Sequence, residues 1–110
     1  MDATWAALLD ASIALAALAG IEPEPVQPEE RYFPAMIRAI GGWRAEMAES
    51  NIADLAAIME PGLAALLTAK ARGAKTGPAA QSLWQEFQEA RAALLALIPN
   101  NDVAGKRQSA

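Results

Sequence analysis

The chain contains no cysteine and no histidine. These two absences exclude disulfides, thiol nucleophiles, thiolate- or imidazole-ligated zinc and every histidine-based proton relay. Positive charge is scarce as well. Nine Lys and Arg stand against 13 Asp and Glu, a net charge of −4, so the basic footprint of a nucleic-acid binder is missing. Strand signals are lacking: β-branched residues are few, and no run alternates apolar with polar. Phosphate-cradling loops of the GxxxxGK[ST] or GxGxxG type do not occur, and no cofactor is expected.

What remains is rich in alanine and leucine. Hydrophobic residues make up 54% of the 110 positions, far from the profile of a disordered chain. Ala, Leu, Glu, Gln and Arg, the strong helix formers, dominate. The expected fold is all-α, a four-helix bundle or closely related helical array in one domain over 1–99, with a frayed tail at 100–110.

Residues 3–19 are almost wholly apolar, and Ala17-Leu18-Ala19 mimics a small-residue cleavage site. No Lys or Arg precedes the run, and Asp10 interrupts it. A charge there costs about 2.5–3.5 kcal/mol in a membrane. The run is therefore expected to be a buried helix of a cytoplasmic protein with no membrane attachment. Its broad face carries Trp5, Leu8, Leu9, Ser12, Leu15 and Ala16. Pro23, Pro25 and Pro28 then predict an extended connector over 20–32. Pro25-Val26-Gln27-Pro28 fits PxxP but reads first as a rigid linker.

A second helix is expected over about 31–49, with Phe33, Met36, Ile37, Ile40, Trp43 and Met47 in one stripe and Gly41-Gly42 inside it as a kink or close contact. Ser50-Asn51 reads as a stop and restart, with Asp54 completing a capping box. A third helix follows over 52–72, its phase preserved across Pro61. The fourth covers 78–98, with Pro78 in its first turn and Pro99 at its end. Short turns at 50–51 and 73–77 would make the last three helices sequentially antiparallel.

Folding those helices about their turns brings Arg44, Glu60 and Arg91 toward one level, beside Trp43. A buried arginine needs a partner. The leading expectation is an Arg91–Glu60 ion pair, with Arg44 lying over the Trp43 indole. The alternative is a ligand site in which two guanidiniums grip an anionic or amphipathic molecule. Glu46, Glu49 and Asp54 cluster at the turn expected near 50–51; they read first as a solvated acidic helix end with no metal, the alternative being a metal-dependent hydrolase, since paired acids can hold Mg²⁺. The EExxE and ExxD pattern of all-α nucleotide pyrophosphohydrolases is not met, because Glu29-Glu30 runs into Arg31-Tyr32-Phe33. The expected function is a non-catalytic interaction or oligomerisation module. A homodimer is expected, with a further protein partner possible, and the sequence leaves open whether the apolar first helix packs within its own chain or, through the long connector, on a second subunit.

Overall fold

A computed structural model describes residues 1–99, and the tail at 100–110 lies outside the described residues. The all-α expectation holds among the described residues, where the helices number five: α1 (Asp2–Ala19), α2 (Pro28–Arg31), α3 (Phe33–Ile40), α4 (Gly42–Ala71) and α5 (Gly77–Leu95). α1, α4 and α5 all pack on one another, while α3 leans on α4 and α1. α1 runs opposite to α5, since Leu18 at its end lies beside Gly77 while Leu9 and Ser12 lie beside Gln88 and Arg91. The molecule is elongated, 55 × 27 × 17 Å. α4 sets that length, because 30 residues at 1.5 Å each span about 45 Å.

The core is aromatic at its centre. Trp5 of α1 lies against Phe33 of α3 and Phe87 of α5, with ring centroids 5.4 and 6.3 Å apart. Leu8, Leu15, Ile37, Ile52, Met59 and Leu94 complete it, each under 2% exposed. Burying side chains of this size contributes about 1.5–3 kcal/mol apiece. α1 buries its expected face inside its own chain, against α4, α5 and α3. That face is therefore covered within the chain, while Ala6, Ala7, Asp10 and Ile13 on the other side of α1 are exposed.

Two boundaries differ from the sequence expectation, each for its own reason. Gly41 adopts φ 71°, ψ −165°, and Gly42 follows at φ 64°. L-residues with a Cβ avoid this backbone, so the pair ends α3 and starts α4 instead of sitting inside one helix. The expected stop at Ser50-Asn51 does not form. Ala48, Ile52, Leu55, Ala56 and Met59 bury one uninterrupted stripe, and that packing overrides the local capping signal. Pro61 lies within the same helix. The four-helix pattern with a turn at 50–51 is thus replaced by three long helices and two short ones.

The connector also differs. Residues 21–27 are irregular, but Pro28–Arg31 winds into one helical turn. Pro28 suits the first position because its missing N–H is unpaired there anyway. The Gln27 N–H donates to Glu30 Oε1 at 2.9 Å, which closes the turn.

Candidate functional site: the outward face of α4

Glu30 is the polar centre of the interior. Its carbonyl accepts the Trp5 indole N–H at 2.5 Å, one carboxylate oxygen accepts the Gln27 N–H, and the other pairs with the Arg91 guanidinium. The Glu30 side chain is 8% exposed and that of Arg91 27%. The expected partner of Arg91, Glu60, is thereby corrected to Glu30. The reason is topological: without a turn at 50–51, Glu60 lies far along α4 and faces outward, where it lines a shallow groove with Asp10, Leu63 and Leu67. A cavity of about 40 Å³ adjoins Arg91, bounded by Leu9, Ser12, Trp84 and Gln88. With its charge taken up by Glu30, Arg91 acts as a tie between α5 and the connector.

Arg44 does stack on its neighbour, its guanidinium carbon 4.5 Å from the Trp43 ring centroid. It does not line the cavity beside Arg91, so the expected pair of converging arginines is not assembled. The acidic trio is dispersed too. On one continuous helix at about 100° per residue, Glu46, Glu49 and Asp54 point in different directions, spread over about 140°. Among the described residues no three acidic side chains are grouped to hold a metal ion. Sequence reasoning missed Glu30 because it lies in a connector expected to be extended. The signal that reveals it is Gln27 followed three residues later by Glu30, a capping-box spacing.

The re-phasing at Gly41 has a consequence on the surface. Trp43 and Met47, expected to continue the Phe33–Ile37 stripe, instead point away from the core. They are 57% and 46% exposed, and Ile58, on the same side of α4, is 51% exposed. α4 thus carries exposed apolar side chains opposite part of its buried stripe, with Asn51 and Asp54 between them. Beside this face lie two shallow concavities between α4 and α5. One, about 270 Å³, is bounded by Asn51, Asp54, Ile58 and Glu86. The other, about 480 Å³, is lined by Ala65, Leu66, Ala79, Ser82 and Leu83, with Leu83 packed over Gly62 and Glu86 beside them. α1 and α4 are long and apolar enough to cross a membrane by length and composition alone. The core helices of a soluble bundle have the same length and composition, so this does not separate the two.

Comparison with known protein families, characterised proteins and solved structures finds no match to this chain.

Proposed function

We propose that the chain is a non-catalytic helical interaction module that self-associates as a homodimer through the outward face of α4. One observation carries this reading: Trp43, Met47 and Ile58 are each about half exposed along a helix whose opposite side is the core. Isolated apolar side chains on a surface are ordinary, but an aligned set on one helix is the usual mark of a docking surface. Trp is also the residue type most enriched among side chains that anchor interfaces.

The test is native mass spectrometry across a concentration series from about 1 μM to about 1 mM, the range that brackets modest protein affinities. The parent chain populates a dimer as concentration rises. A Met47→Lys, Ile58→Lys double variant stays monomeric with unchanged helical circular dichroism, because both positions lie outside the core. A parent chain that remains monomeric throughout overturns the reading.

A further inference from the structure

We infer that the partner on this face is a second copy of the chain running antiparallel, with the two-fold axis crossing α4 between Ile52 and Ala53. The inference rests on the self-association reading above and adds its geometry. Five exposed residues along one side of α4, Trp43, Met47, Asn51, Asp54 and Ile58, carry it together with the half-buried Gly62, which faces Leu83 of α5. They are spaced four, four, three, four and four apart, so they stay on one side of the helix. Each also has a counterpart equally far from the midpoint between Ile52 and Ala53. Trp43 mirrors Gly62, Met47 mirrors Ile58, and Asn51 mirrors Asp54.

The mirrored residues are complementary in kind. A two-fold axis at that midpoint sets the exposed Trp43 indole over the concavity of the other copy lined by Ala65, Leu66 and Leu83, where Leu83 lies against Gly62 and offers an apolar seat. It sets Met47 on Ile58, two half-exposed apolar side chains. It brings the Asn51 amide, a donor, to the Asp54 carboxylate, an acceptor. Arg44 travels with Trp43, on which it is stacked, and so arrives at Glu86 on the rim of the same concavity. An in-register parallel pair has none of this. It places Trp43 on Trp43 and faces Asp54 with Asp54. A two-fold interface must be self-complementary, and the antiparallel register meets that requirement at every position named. The contact is about 28 Å long and one helix wide, at the low end of interface sizes, so a dissociation constant of about micromolar order is expected.

The absence of cysteine makes the register directly readable, because introduced thiols are the only ones present. Met47→Cys and Ile58→Cys chains are prepared separately, then oxidised alone and as an equimolar mixture. The expected result is strong disulfide linkage in the mixture, with one chain of each kind per dimer, and little in either chain alone. In parallel, Glu86→Arg is expected to weaken the parent dimer by about fivefold, and adding Arg44→Glu to restore it, as for a charge pair at an interface rim. Efficient linkage of Met47→Cys to itself overturns the antiparallel register in favour of a parallel one. A dimer by mass with no linkage in any sample also overturns it, while leaving self-association through another face standing. Monomers at all concentrations overturn both readings together.

Discussion

Glu30 and Arg91 form an ion pair across 61 positions of sequence, and that pair fastens the proline-rich connector to α5. The two side chains are not equally sheltered, so their removal has unequal effects. Arg91→Met leaves the Glu30 carboxylate, 8% exposed, without its cation. Glu30→Gln leaves a guanidinium that is 27% exposed and reaches water. Removing one partner of a fully buried pair costs about 3–5 kcal/mol, and the partial exposure of Arg91 reduces this to about 2–3 kcal/mol for Arg91→Met and less for Glu30→Gln. The double variant is expected to lose less than the sum of the singles. Urea unfolding of the four chains in a double-mutant cycle measures the coupling. Equal losses for the two singles, or strict additivity, contradict this account.

The same glutamate holds α1 through its backbone. The Trp5 indole N–H is buried and donates to the Glu30 carbonyl at 2.5 Å, so Trp5→Phe removes a donor and leaves that acceptor unsatisfied. The loss is expected to be about 1–3 kcal/mol, the desolvation penalty of one unpaired buried group. Fluorescence offers an independent check. Trp43 is 57% exposed and Trp84 is half-buried, whereas Trp5 is 1% exposed. Trp5→Phe therefore removes the blue-shifted part of the emission and moves the spectrum toward the red.

At the surface, Arg38 of α3 holds Asp2 at the start of α1 with both guanidinium nitrogens, one of them 3.0 Å from Oδ2. The hydrogen bond from Arg38 lowers the Asp2 carboxyl below its ordinary value, and the Arg38 guanidinium is raised in turn. The sign follows from linkage. A carboxyl depressed in the folded state contributes stability above its unfolded pKa, and loses it as pH falls through the folded value. Arg38→Gln is therefore expected to lower the melting temperature slightly near neutral pH and to match the parent in strong acid. Both groups are largely solvent-exposed, so salt shrinks the difference as well. Melting curves of parent and variant across pH and salt check this, and a difference that persists in acid counts against it.

Regular burial made α1 and α5 legible in the sequence to within a few residues, because each keeps one apolar face from end to end. The middle of the chain was legible only in part. Ser50, Asn51 and Asp54 carry a genuine local preference for a helix start, but that preference is about 1 kcal/mol. The buried stripe from Ala48 to Met59 outweighs it. The site suffered accordingly. With the break moved from Asn51 to Gly41, Trp43 and Met47 changed sides and Glu60 lost its place opposite Arg91. The Arg44–Trp43 stacking survived because it is local and independent of topology. The role of Glu30 was hidden because it depends on α1, the connector and α5 arriving together, and no local pattern encodes that arrival.

Gly41 supplies the sharpest test of where the helices divide, because two readings of the same residue demand opposite signs. Inside a continuous helix, Gly41→Ala would raise stability by about 1 kcal/mol, the difference in helix propensity. At φ 71°, ψ −165° an alanine is strained, and a residue forced into such a region costs about 1–3 kcal/mol. Space is not the obstacle. The nearest atom to an added Cβ is the Arg38 carbonyl oxygen at 3.8 Å, an ordinary contact, so any loss reports backbone conformation alone. Gly41→Ala is expected to lower the urea midpoint without changing the slope. A raised midpoint would mean that one helix runs through Gly41.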